Sequence, residues 1–144
     1  MKSIRHIGVV VSDLDRSLSF YRGIIGLKIV KRAEEDAGFI YKICGIKGAK
    51  LTTIKMAADD GGLIELLFFQ PHLSANLSRT LYDIGPSHLA FSVEDVEGEY
   101  KRLLSKKVEC VSAPAASPDG YAKVVFCKDP DGTFIELVEV LERK

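Results

Sequence analysis

"HIGVVVSDLD" occupies residues 6–15, and "HLAFSVEDVE" occupies residues 88–97. Each begins with histidine, runs through apolar residues to a valine and ends in an acidic turn. The spacing is constant: His6 and His88 lie 82 positions apart, and so do Asp13 and Asp95. The tripeptide "IEL" also occurs twice, at 64–66 and 135–137. Three matched features in one order read as an internal duplication.

The first copy can be followed residue by residue. "IRHIGVVV" is β-branched and apolar on both parities, which reads as a strand buried on both faces. Asp13 stands where a helix N-cap belongs. Leu14, Leu18, Tyr21 and Ile25 follow at helical spacing, which predicts an amphipathic helix from 14 to about 24, ended by Gly26. "LKIVKR" reads as a strand, residues 35–45 as a short helix closed by Gly45, and "LTTIKMA" and "LIELLFF" as strands joined by the turn "DDGG". The second copy repeats the order. "HLAFSV" is a strand, Asp95 a cap, and Val96, Tyr100 and Leu103 the inner side of a helix. "VECV" is a short strand, "SAPAASPDG" a loop, and "YAKVVFC" and "TFIELVEV" are strands joined by the turn "DPDG".

The expected fold is therefore α+β, with two tandem βαβββ modules. Module one covers about 3–70, the linker 71–86 and module two about 87–141, all within a single domain of 144 residues. Either copy alone is too small to bury both faces of its sheet, whereas two together can close a cavity.

Composition narrows the partners. Twenty basic and twenty acidic residues cancel, so nothing favours nucleic acid. No run approaches the ~18 apolar residues of a membrane span, and the N-terminal segment lacks the pattern of a secretory signal. Cys44, Cys110 and Cys127 are odd in number and form no C-x-x-C pair. They read as reduced thiols in a cytoplasmic protein.

Four polar residues interrupt the apolar strands. His6 alternates with Ile4, Gly8 and Val10, and Glu65 with Leu63, Leu67 and Phe69. His88 alternates with Ala90 and Ser92, and Glu136 with Phe134 and Val138. A buried carboxylate without a partner costs several kcal/mol, and neither "LIELLFF" nor "FIELV" contains Lys or Arg. Two histidines and two carboxylates at equivalent places meet that cost together if they surround a divalent cation. Taken singly, a strand histidine is more often structural, and Glu136 alone could face solvent; it is the repetition that makes them a set. His72, in "FFQPHL", has no counterpart in the second copy and reads as surface. No phosphate-binding glycine loop and no Gly-x-Ser-x-Gly or Cys–His nucleophile pattern is present.

The stretches "HIGVVVSDLDRSLSFYRGIIGLKIV", "GPSHLAFSVEDVE" and "DPDGTFIELVE" resemble the vicinal oxygen chelate superfamily, which includes glyoxalases, extradiol dioxygenases, methylmalonyl-CoA epimerase and bleomycin-resistance proteins. The resemblance implies sheets that curl around a metal cavity, with ligands at His6, Glu65, His88 and Glu136. It implies one divalent ion per site (Mn, Co, Ni, Zn or Fe) and a homodimer. The complete ligand set, with Glu65 in the fourth place, favours proton chemistry over oxygen activation and over simple sequestration. Lactoylglutathione lyases of bacteria typically carry Arg and Asn where this chain has Val10 and Phe69. Methylmalonyl-CoA epimerases carry Gln at the place of Glu65 and a further carboxylate near Gly48-Ala49-Lys50.

The expected function is thus a metal-dependent isomerase, epimerase or lyase that removes a proton next to the carbonyl of a small molecule. Glu136 is the expected base, with Glu65 on the opposite face, and Val10, Phe69 and Phe134 line the cavity. The loop "SAPAASPDGY" is a candidate rim. A lactoylglutathione lyase, a methylmalonyl-CoA epimerase, an extradiol-type dioxygenase and a non-catalytic binder of small molecules or antibiotics remain alternatives.

Overall fold

The structure, a computed structural model, describes residues 2–71 and 78–141. It divides into two compact units, Met1–Ala75 and Asn76–Lys144. His72, read above as a surface residue, lies outside the described residues.

The first unit contains β1 (Ile7–Val10), α1 (Leu14–Tyr21), β2 (Lys28–Glu35), α2 (Ala37–Cys44), β3 (Lys50–Ala57) and β4 (Leu63–Gln70). Its strands form one sheet in the order β1-β4-β3-β2, with β1 parallel to β4 and the other pairs antiparallel. The second unit contains β5 (His88–Ser92), α3 (Val96–Ser105), β6 (Ala115–Ala116), β7 (Ala122–Lys128) and β8 (Phe134–Val140). Its sheet runs β5-β8-β7-β6, again with the first and last strands parallel. The duplication in the sequence is thus a duplication of topology.

Caps make the local structure. Asp13 Oδ1 accepts from the Arg16 backbone N–H at 2.9 Å, and Asp95 Oδ1 accepts from Gly98 N–H at the same distance. These bonds satisfy donors that the first helical turn leaves without partners. Asp36 caps α2 through Phe39 N–H, and Gly45 ends it in the left-handed conformation at φ 72°. That conformation is cheap for glycine because there is no Cβ to clash.

Strand alternation divides each sheet into two faces. In the first unit Ile54 pairs with Leu66 and Met56 with Ile64; all four are buried, together with Val9, Phe20 and Tyr21. The second unit buries Leu89, Val125, Ile135 and Leu137 with Val96 and Leu103 of α3. The alternate residues of β3, β4, β7 and β8 carry the polar groups described below.

Three expectations need correction. The first strand is shorter than "IRHIGVVV", and it is not buried on both faces: Val9 and Val11 are buried, whereas Ile7 and Val10 are about half exposed. Helix α1 stops at Tyr21, before the expected 24, although tight turns continue through Ile24 and Ile25 N–H to Phe20 O. "VECV" is reduced to a single bridge, Cys110 to Cys127, and the short edge strand is Ala115–Ala116, inside the expected loop. Small alanines at an edge carry no hydrophobic alternation, so no periodic signal announces them.

Candidate metal-binding site

Each unit brings one histidine to one glutamate. His6 precedes β1 and Glu65 lies in the middle of β4; His6 Nε2 is 3.0 Å from Glu65 Oε2. His88 opens β5 and Glu136 lies in β8; His88 Nε2 is 3.1 Å from Glu136 Oε2. Parallel pairing of the first and last strands of each module does this. It places Gly8 beside Glu65 and Ala90 beside Glu136, and the histidine two residues earlier points to the same face.

The histidines are about one third exposed, and the glutamates are more buried, at 9% for Glu65 and 19% for Glu136. Each pair is therefore partly covered, with the histidine as its more exposed member. Imidazole nitrogen with carboxylate oxygen is a donor set for first-row divalent ions. A six-coordinate ion with bonds of about 2.1 Å spaces neighbouring donors about 3.0 Å apart, which both pairs match. A simple hydrogen bond spans the same distance. The donor chemistry fits a divalent ion, but each pair supplies only two ligands, and no cluster of three or more His, Cys, Asp or Glu is present among the described residues.

The second ring nitrogens differ. His88 Nδ1 lies 3.2 Å from Ser87 Oγ, whose hydroxyl donates in turn to Leu81 O at 2.9 Å. A proton on Nδ1 would be held by that serine and would leave Nε2 with its lone pair towards Glu136. His6 Nδ1 is buried without a hydrogen-bond partner.

The two glutamates also differ. The inference that Glu65 lacks a cationic partner was drawn from its own strand, and it fails on the neighbouring one. Lys55 lies directly across the β3–β4 ladder, and its ammonium bonds Glu65 Oε1. At the same register in the second unit Phe126 lies across from Glu136. The Phe126 ring meets His88 edge-on, with centroids 5.1 Å apart. Lys55, Phe126 and Ser87 are the site residues that sequence reading missed. The first two follow from counting back two residues on each strand from the hairpin ends at Ala57–Leu63 and Lys128–Phe134.

Of the residues expected to line the site, Val10, Phe69 and Phe134 sit on the ligand-bearing parity of their strands. Phe134 is buried, and Lys128 Nζ stands 5.6 Å over its ring.

The family described as the Glyoxalase/Bleomycin resistance protein/Dioxygenase superfamily matches residues 3–137. A "Probable lactoylglutathione lyase" of Synechocystis sp. is 28% identical over 142 residues, covering 96% of each chain. An uncharacterised Escherichia coli protein is 29% identical over 139 residues, covering 96% of this chain and 97% of its own. Among solved structures, a glyoxalase family protein from Bacillus cereus superposes with a TM-score of 0.87 at 23% identity, over 99% of this chain and 96% of its own. The fosfomycin resistance protein FosX of Listeria monocytogenes, solved in complex with Mn(II) and sulfate, gives 0.67 at 17% identity, over 98% and 94%. The duplicated topology, the paired His–Glu positions and the family match over residues 3–137 agree, and the chain belongs to the Glyoxalase/Bleomycin resistance protein/Dioxygenase superfamily.

Proposed function

We propose that this protein is a divalent-metal-dependent isomerase, epimerase or glyoxalase-type lyase, acting on a small molecule that carries a carbonyl beside an acidic C–H. The observation that carries the reading is the repeated pair, His6 with Glu65 and His88 with Glu136. The four side chains are proposed to serve one ion, supplied by one chain or by two copies in a homodimer. The 144 residues would then act as one functional domain. Relatives described as lactoylglutathione lyases support the lyase form. Val10 and Phe69, at places expected to hold glutathione, favour a different substrate.

His6, Glu65, His88 and Glu136 would hold a divalent ion, whose charge would supply polarisation of a carbonyl oxygen and stabilisation of the negative charge that grows there as the adjacent carbon loses its proton. The chain's own residues divide the remaining work. Glu136 takes the proton as general base. Lys55 restrains one oxygen of Glu65, whereas Glu136 faces Phe126 at the matching position. Glu136 is therefore the carboxylate with more freedom to move a proton, and Glu65 the opposite-face partner. Phe126 and Phe134 keep water from the base. Among the described residues no helix is long and apolar enough to cross a membrane, and a cytoplasmic location is part of the same proposal.

The test is solvent exchange. Protein loaded with Mn, Co, Ni, Zn or Fe(II) is incubated with a panel of α-hydroxy and α-acyl carbonyl compounds in deuterated water. Metal-dependent incorporation of deuterium next to the carbonyl supports the reading. Oxygen uptake on catechols, or tight binding with no exchange, would replace it.

A further inference from the structure

The two halves of the duplication differ in charge on the face that carries the ligands. In the first unit a polar row crosses the sheet. Lys31 on β2 pairs with Lys55 on β3, and Lys55 pairs with Glu65 on β4. Cross-strand partners share a face, so the two lysines and the glutamate stand side by side. The matching position of the second unit holds Phe126 beside Glu136, and the segment that bonds Phe126 from its other side does so through Val111 N–H. Lys128 also lies on the ligand-bearing face of the second unit, over Phe134 and paired with Glu109, so the difference is that among the described residues only the first unit sets a lysine against its ligand glutamate.

Like charges directly opposite each other destabilise a sheet. Lys31 and Lys55 form such a pair, and Glu65 answers Lys55. Lys55 is also 23% exposed, buried enough to lose much of its hydration. Neutralising Glu65 takes one lysine, and Lys31 adds a second positive charge beside it on the exposed edge strand. Breaking a local rule without a structural return marks a functional place. The charge balance points the same way. On the four-ligand reading, a dication with two carboxylates and the Lys55 ammonium would sum to one net positive charge, with neutral imidazoles adding none.

We propose that the substrate of this site carries an anionic group, a carboxylate or phosphate, next to its reacting carbonyl, and that Lys55, backed by Lys31, is the residue that recognises it. The inference rests on the four-ligand reading above. Lys55 is a compact point charge with three donors on a flexible stem, suited to meet an incoming anion with one N–H while another holds Glu65 Oε1. It selects the substrate and takes no part in the proton transfer.

Pyruvate and pyruvamide, which share a carbonyl and differ in charge, provide the probes. Mn(II) stoichiometry is measured first, and probe binding is then read from water-proton relaxation of the Mn(II)-loaded protein. Wild type is expected to hold Mn(II) and to bind pyruvate at least tenfold more tightly than pyruvamide. Lys55→Met should lose that preference with its Mn(II) retained, Lys55→Arg should keep most of it, and Lys31→Gln should reduce it by a few-fold. Lys101→Met, on the exposed side of α3, should change nothing. A loaded wild type that binds the two probes equally, or a loaded Lys55→Met protein that still prefers pyruvate, overturns the role of Lys55 and leaves the metal reading standing. A wild type that takes up no metal overturns both. If Lys55→Met fails to fold, the Lys31→Gln protein decides, and an unchanged preference there counts against the proposal.

Discussion

Lys55 bonds Glu65 from the neighbouring strand, directly across the β3–β4 ladder, so the two glutamates of this duplicated protein do not stand in equivalent surroundings. That single contact separates a restrained carboxylate from a freer one, and it orders the expectations for the two.

Glu136→Gln should slow α-proton exchange by roughly 10²–10⁴-fold, the usual contribution of a general base. Glutamine keeps an oxygen for the ion but cannot accept the proton. Glu65→Gln should slow exchange less, because the role proposed for Glu65 is coordination. Deuterium incorporation followed by mass spectrometry on metal-loaded proteins checks this. Wild-type exchange in loaded Glu136→Gln would move the base to Glu65.

Ser87→Ala removes the group that faces His88 Nδ1 at 3.2 Å. Loss of such an outer partner commonly weakens metal binding about 10–100-fold. Calorimetric titration with Zn or Mn should show that loss with the fold intact by circular dichroism. An unchanged dissociation constant would mean that Ser87 does not orient the ring.

Asp95→Ala deletes the cap of α3 and should cost about 1 kcal/mol in urea unfolding. The effect is moderated because Glu139 Oε2 also accepts from Val96 N–H at 3.0 Å. Because Asp95 accepts from Gly98 N–H and Glu139 from Val96 N–H, removing both carboxylates should cost more than either single change.

The three cysteines should separate in a labelling experiment. Cys44 is exposed, and Cys127 is fully buried. Burial is the main cause that pushes the Cys127 thiol up to about 12, with lesser contributions from Cys110 and Asp129. Only the thiolate reacts, so alkylation at pH 8 should modify Cys44 within minutes and spare Cys127 until the chain unfolds. Burial raises Cys110 as well, which should place it between them.

Much of this was legible before the structure. The constant spacing of His6 with His88 and Asp13 with Asp95 gave the duplicated topology, because caps and buried strands repeat with the module. The His–Glu pairing followed from strand alternation together with a histidine at the first strand and a glutamate on the last strand of each copy. Lys55 and Phe126 stayed hidden because strand periodicity says which face a residue takes and not which residue lies across from it. Cross-strand neighbours depend on register, which the hairpin ends fix. The edge strand Ala115–Ala116 stayed hidden because two alanines carry no pattern. The apolar run that suggested a doubly buried β1 misled because hydrophobicity does not tell which face another element covers.

The central claim is that His6, Glu65, His88 and Glu136 serve one divalent ion. Metal content of the purified protein after dialysis against Mn or Zn, compared with that of His88→Ala and His6→Ala, tests it most directly. One ion per set of four residues in the wild type, and loss of stoichiometric metal in both variants, is the expected result. Full occupancy in either variant would show that the metal, if any, is held elsewhere.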